Sequence, residues 1–286
     1  MAHHRPDLLQ KLLDAIDDCR NDIFVHIDKK STLEAECFKV KNAKLFFIKR
    51  INVNWAGYSQ VECEYRLLEA AISTGVHAYY HFLTGVSYPL WNQDYLHTFF
   101  AKRPEVEYIG FDNASDYSGR VRYYYLFAEH GKLKGISGRL VYYLRKVLLF
   151  LQKVGRVDRI RTTNLIIKKG CAYWSITDQF ARFVLDQEPM VRSLFKYTMY
   201  GDEVFIQTLA YNSTFRENIY NLENEYNGAM REVAWPSTVL AGRPGCNFNL
   251  NDLEYLLNSS RLFALKFESS DGLELINRIS LERMLV

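Results

Sequence analysis

Apolar residues recur at Leu8, Leu9, Leu12, Leu13 and Ile16, the spacing of one face of an α-helix. Asp22-Ile-Phe-Val-His-Ile-Asp28 is a short apolar run that ends in polar residues and predicts a buried strand, and Ala43 to Ile48 predicts a second. Helical spacing returns between Ser59 and Ile72, through Val61, Tyr65, Leu68, Ala71 and Ile72. Ala78 to Leu83 predicts a third strand, leading into the loop Thr84-Gly-Val-Ser-Tyr-Pro89. Strands alternating with helices predict an α/β domain built on a mainly parallel sheet. Ligands of such sheets lie beyond the carboxyl ends of the strands, which points to Asp28 and the 84–89 loop.

Further along, Val141 to Leu151 predicts a basic amphipathic helix, Ala172 to Ile176 a strand, and Asp178 to Leu185, Asp202 to Tyr211 and Leu250 to Leu257 helices. No repeat or low-complexity linker interrupts the 286 residues, so a single domain over 1–286 is expected.

Charge is distributed unevenly. Between Lys132 and Lys169 there are 11 Lys or Arg against one acid, Asp158, a local net charge of +10 in a chain whose total is only +3. That total is too mild to call for nucleic acid. The basic segment reads either as a solvated face or as a peripheral contact with an anionic membrane. The five cysteines form no C-x-x-C pair, which favours thiols in a reducing cytosol over a disulfide framework or a zinc site. No apolar run reaches the length of a membrane span.

The chain has no P-loop, G-x-G-x-x-G, G-x-S-x-G or H-E-x-x-H motif, and no D-x-D pair to hold a cation. Asp202-Glu203 stands out, because Gly201 precedes it and an apolar helix follows. The pair reads either as acids favoured by a helix dipole or as the source of a general base.

Six segments together carry more information than any one. They are Phe24-Val-His-Ile-Asp-Lys-Lys30, Val53-Asn-Trp-Ala-Gly-Tyr-Ser59, His81-Phe-Leu-Thr-Gly-Val-Ser-Tyr-Pro-Leu90, Gly170-Cys-Ala-Tyr-Trp-Ser175, Gly201-Asp-Glu-Val-Phe205 and Leu262-Phe-Ala-Leu-Lys-Phe267. In this order, over about residues 2–268, they resemble the core-2/I-branching β-1,6-N-acetylglucosaminyltransferase family, which also contains peptide O-xylosyltransferases.

The resemblance implies a single glycosyltransferase domain with a Rossmann-like, nucleotide-sugar-binding (GT-A type) fold, its nucleotide-binding half over about 1–110 and its acceptor and catalytic half over about 111–286. It also implies inversion at the anomeric carbon with no required metal or other cofactor. Glu203 then matches the catalytic base. Arg243 and Lys266, 23 residues apart as in the family, match the pair that neutralises the donor diphosphate. Asp28 matches an acid near the uracil, against the plain reading of a turn-forming Asp. Trp235, Trp174 and Arg122 are the expected acceptor contacts, with Trp235 alternatively a core residue.

The implied partners are a UDP-sugar donor, UDP-GlcNAc first and UDP-xylose second, and a glycan or lipid-linked glycan acceptor. Animal members carry a membrane anchor, a stem and lumenal disulfides. Lacking these, the chain resembles bacterial members that act in the cytoplasm, or peripherally on the inner face of the membrane, on surface glycans. The family also has a strand ahead of the first helix, for which the sequence leaves no room, so that strand is expected to be missing. The alternative reading is a non-catalytic sugar- or nucleotide-binding protein that retains the fold.

Overall fold

The computed structural model describes residues 1–130, 135–236, 238–240 and 242–284. Lys132 and Lys134 of the basic segment lie outside the described residues. The chain divides into two compact units that each use discontinuous stretches: unit 1 takes Met1–Arg50, His81–Pro104 and Ala229–Val286, and unit 2 takes Ile51–Tyr80 and Glu105–Gly228.

Unit 1 opens with helix α1 (Pro6–Ala15), whose apolar stripe of Leu8, Leu9, Leu12 and Leu13 is buried as its spacing predicts. Strands β1 (Asp22–Val25) and β2 (Lys44–Phe47) pair in parallel, Ile23 opposite Leu45. Met1 and Ala2 continue this arrangement. The Ala2 N–H donates to the His26 carbonyl and the Asp28 N–H to the Ala2 carbonyl, both at 2.9 Å, and Ala2 bridges Ile27 in parallel. On their other side, the Met1 amine donates to the Leu83 carbonyl at 3.0 Å and the Gly85 N–H to the Met1 carbonyl at 2.9 Å. The position expected of a strand ahead of α1 is therefore held by these two residues.

Strand β4 (Ser87–Pro89) forms within the predicted 84–89 loop and runs antiparallel to β10 (Phe263–Leu265), which pairs in parallel with β7 (Arg231–Val233). Strands β8 (Thr238–Leu240) and β9 (Arg243–Gly245) pair antiparallel. Helices α3 (Gln93–Ala101), α10 (Leu253–Leu257) and α11 (Gly272–Met284) complete the unit. Leu8, Leu90, Phe248, Phe267, Leu275 and Ile276 are among its fully packed core.

Unit 2 is mostly helical. Helix α2 (Tyr58–Ser73) buries Val61, Tyr65 and Leu68, matching the predicted face. Strand β6 (Trp174–Thr177), buried at all four positions, lies between β3 (Tyr79–His81) and β5 (Tyr108–Ile109), pairing antiparallel with β5. Short α4 (Gly119–Arg122), long α5 (Gly135–Val154), α6 (Asp178–Asp186), α7 (Glu188–Phe195), α8 (Phe205–Tyr211) and α9 (Glu225–Ala229) surround it.

The architecture is mixed α/β, as expected. Among the described residues the strands form small sheets of two or three, and antiparallel pairings are as much a part of them as parallel ones. A hydrophobic run marks a buried strand without specifying its neighbour's direction; of the antiparallel partners only β8 and β9 lie close in sequence, while β4 and β10, and β5 and β6, are far apart.

Candidate active site

The predicted helix from Asp202 begins instead as a 3-10 turn, Gly201–Glu203, and becomes α8 only at Phe205. Tyr200 enters this turn in the left-handed region (φ 56°), and its N–H donates to the carbonyl of Ala56, itself left-handed at φ 67°. A non-glycine residue in that region costs on the order of 1–2 kcal/mol, and such strain tends to gather at functional sites.

The two acids of the turn have opposite surroundings. Asp202 is buried, and its Oδ2 accepts from Gln60 Nε2 at 2.8 Å. Burial, followed by the charge of neighbouring Glu203, pushes the Asp202 carboxyl up to about 7. Gln60 is held in turn by the Ala56 N–H, which donates to its Oε1 at 2.6 Å. One turn further along α2, Glu64 is 1% exposed, and burial followed by the charge of Asp202 raises its carboxyl well above the usual range. Asp202 Oδ1 and Glu64 Oε1 have no hydrogen-bond partner among the described residues. Carboxyls so placed favour the protonated form, because a bare buried charge would be unpaid by solvent or partner.

The Glu203 side chain is 23% exposed and reaches solvent. Its Oε2 accepts from Arg120 Nη1 at 2.8 Å, and the Arg120 guanidinium lies 5.3 Å from the centre of the Tyr117 ring and 5.2 Å from that of Tyr200. Planar stacking of this kind fixes the fork of an arginine and hence the carboxylate it holds. Tyr117 is shared: Lys169 Nζ also lies 5.3 Å from its ring and bridges Asp112 at 2.9 Å and Glu225 at 3.2 Å. Burial works against the Asp112 carboxylate, but Tyr117, the Ala114 N–H and Lys169 outweigh it and hold it below its usual range. The more deeply buried Glu225 is pushed up despite Lys169. The result is a partly exposed carboxylate on a bed of ordered charges and rings.

The backbone beneath is tightly packed. The Gly170 N–H donates to the Glu203 carbonyl at 2.9 Å, and a Cβ at Gly170 would lie 1.8 Å from the Gly110 carbonyl oxygen. That contact explains the glycine that opens the segment Gly170–Ser175.

The other predicted residues fare differently. Trp174 is 2% exposed, and its Nε1 donates to Glu64 Oε2 at 3.0 Å. It belongs to the core and has no ring face for a sugar, which corrects the expected acceptor contact. Arg122 pairs with Asp158 at 2.5 Å, while Arg120, two residues earlier, reaches Glu203. Residues two apart on a helical turn point to opposite sides, so only one of them serves the carboxylate.

In unit 1, Lys266 and Trp235 come together, with the Lys266 ammonium 4.6 Å from the Trp235 ring centre. Arg243 begins β9, where it pairs with Leu240 of β8. Asp28 shapes a turn: its Oδ1 accepts from the Lys30 N–H at 2.8 Å, its Oδ2 lies 3.3 Å from Lys30 Nζ, and its carbonyl accepts from Arg50 at 2.8 Å. This is the geometry of the plain, turn-forming reading, and it leaves the carboxylate beside a cation. Among the described residues, no group of three or more His, Cys, Asp or Glu is arranged to hold a metal ion.

Sequence reasoning missed Gln60, Glu64 and Lys169 and preferred Arg122 to Arg120. A trace of the first two was present, as polar residues one helical turn apart beside the apolar stripe of α2.

A partly exposed carboxylate held by a stacked arginine, beside buried acids, is the kind of centre that proton-transfer enzymes use. The model of the Core-2/I-Branching enzyme family matches residues 1–254, and the chain belongs to that family. It is a family of glycosyltransferases with a GT-A-like fold, whose members take a sugar donor and a glycan acceptor. Among curated proteins, none matches the chain.

Proposed function

We propose that the protein is an inverting glycosyltransferase that carries a sugar from a UDP-sugar to a glycan hydroxyl, without a divalent cation, in the assembly of bacterial surface polysaccharide. UDP-GlcNAc is the first donor to test and UDP-xylose the second. The observation that carries this reading is Glu203, a partly exposed carboxylate oriented by Arg120 within the family-matched region.

In this scheme the acceptor oxygen attacks the anomeric carbon from the face opposite the diphosphate. The bond from that carbon to the phosphate oxygen breaks and UDP leaves. Glu203 takes the hydroxyl proton as the new glycosidic bond forms, a contribution typically worth ~10²–10⁴ in rate. Arg243 and Lys266 take up the charge developing on the leaving diphosphate, the role that fixed cations play in phosphate recognition. The contact of Lys266 with Trp235 supports this assignment, since the ring holds the ammonium in place while leaving it free to pair with an anion. Trp235 itself offers a face on which a pyranose ring could stack.

The test is a panel of UDP-sugars, with UDP release followed in the presence and absence of EDTA, for the wild type and Glu203→Gln. Turnover with at least one donor, resistant to EDTA and reduced at least ~10²-fold in the variant, is expected. UDP binding with no turnover on any donor would favour the non-catalytic binding protein. Loss of wild-type activity in EDTA would refute the metal-free scheme.

A further inference from the structure

The basic segment forms helix α5, Gly135–Val154, in which no residue is buried. Twenty helical residues with this composition are unusual on the outside of a folded unit. Ile136 is 85% exposed, Leu140 67%, Tyr143 63%, Phe150 64% and Val154 66%. At 100° per residue, Ile136, Tyr143 and Phe150 form one row along the helix and Leu140, Val147 and Val154 the neighbouring row. Arg139, Lys146 and Lys153 fall in a third row that flanks the apolar strip, and the helix contains no acid.

The face turned toward the rest of unit 2 is a different one. There Gln152 exchanges hydrogen bonds with the backbone of Tyr124 at 2.7 and 2.9 Å, and Arg145 reaches the Phe127 carbonyl at 3.1 Å and Met199 Sδ at 3.3 Å. The exposed strip is therefore an outer face and not an unfinished inner one. Its apolar surface continues into a groove of about 510 Å³ lined by Tyr124, Leu126, Leu148, Leu151, Val157 and Tyr197.

We propose that α5 is a membrane-docking helix, which lies in the plane of an anionic bilayer with Tyr143, Val147 and Phe150 in the acyl boundary and Arg139, Lys146 and Lys153 among the headgroups. The combination is that of an interfacial helix: a wide apolar face with aromatic residues, bordered by cations whose long stems let their charges reach outward. No helix among the described residues is long and apolar enough to cross a membrane, so the contact is one of lying on the surface.

Charge selects this occupant over a second copy of the chain. Paired against itself, the helix would bring its cationic rows toward one another with no acid on either helix to offset them, whereas anionic headgroups neutralise all three residues. Docking would also position the candidate base. Arg145 fastens α5 to Met199, the neighbour of Tyr200, on whose ring Arg120 stacks as it holds Glu203.

The experiment is flotation of the whole chain with vesicles of phosphatidylcholine alone and of equal parts phosphatidylcholine and phosphatidylglycerol, at low and high salt. It reads binding and not turnover, so its failure is distinguishable from failure of the transferase proposal. Flotation with the anionic vesicles only, weakened by salt, is expected. The triple variant Arg139→Gln, Lys146→Gln, Lys153→Gln should bind the anionic vesicles about a hundredfold more weakly, from roughly fivefold per basic residue at the surface. All three side chains are exposed, and circular dichroism should show the fold unchanged. Phe150→Ser should also weaken binding, through loss of inserted apolar area. Failure to float, equal flotation with both vesicle types, or undiminished binding by the triple variant would overturn the proposal. So would a concentration-dependent dimer in sedimentation that Phe150→Ser abolishes, since the face would then belong to a second copy.

Discussion

Replacing Asp202 by Asn is expected to make the protein more stable at neutral pH, although Asp202 is the immediate neighbour of the candidate base. In the folded chain burial and the adjacent Glu203 raise this carboxyl from 3.8 to about 7. Below about pH 4 the folded and unfolded chains both hold the proton, and it has no effect on their balance. As pH rises toward 7 the unfolded chain releases it while the folded chain retains it, so the raised pKa progressively favours unfolding. At ~1.36 kcal/mol per unit, a shift of about three units costs ~4 kcal/mol by neutrality, and the cost is constant above that.

Asparagine has the same shape, keeps an oxygen for Gln60 Nε2 and does not titrate. The advantage of Asp202→Asn over the wild type should therefore grow by ~3 kcal/mol between about pH 5 and pH 8. Relief of Glu64, whose own carboxyl is raised in part by the charge of Asp202, acts in the same direction and adds to this. Thermal melts of the two proteins across that range read the difference directly. At roughly 2 °C per kcal/mol for a chain of this size, the gap in Tm should widen by about 6 °C. Parallel curves for the two proteins would refute the reasoning, because they would mean that Asp202 ionises in the folded chain as it does in water.

The remaining expectations are more local. Arg120→Ala should lower kcat while leaving UDP affinity measured by calorimetry unchanged, since the arginine orients the carboxylate through Glu203 Oε2; an equal loss in Arg122→Ala would show that the pairing with Asp158 is not what separates the two. Lys266→Ala should weaken UDP binding in the same assay without rescue by manganese, and unchanged affinity would remove it from the donor site. Gly170→Ala should destabilise by ~3 kcal/mol or more, seen as a lowered Tm, because its Cβ would strike the Gly110 carbonyl at 1.8 Å and backbone cannot step aside as a side chain can.

Helices α1, α2, α5 and α6 and strands β1, β2, β3 and β6 were legible in the chain, because the alternation of buried and exposed positions along one element is a local pattern with its own period. The segment Gly201–Phe205 likewise announced an acidic pair ahead of an apolar helix. What remained hidden depended on residues far apart in sequence. Gln60 meets Asp202 across 142 positions, and Trp174 meets Glu64 across 110. These contacts decide that Asp202 turns inward while Glu203 stays in reach of solvent, and that Trp174 supports the core instead of facing a ligand. Neither outcome has a periodic signature, since burial of a polar side chain is set by which distant partner closes over it. The direction of strand pairing and the choice of Arg120 over Arg122 have the same origin. The sequence by itself determined those elements, the family and the motif that bears Glu203; the tertiary structure alone decided which side chains of those elements share an environment, because desolvation and charge pairing act through space and not along the chain.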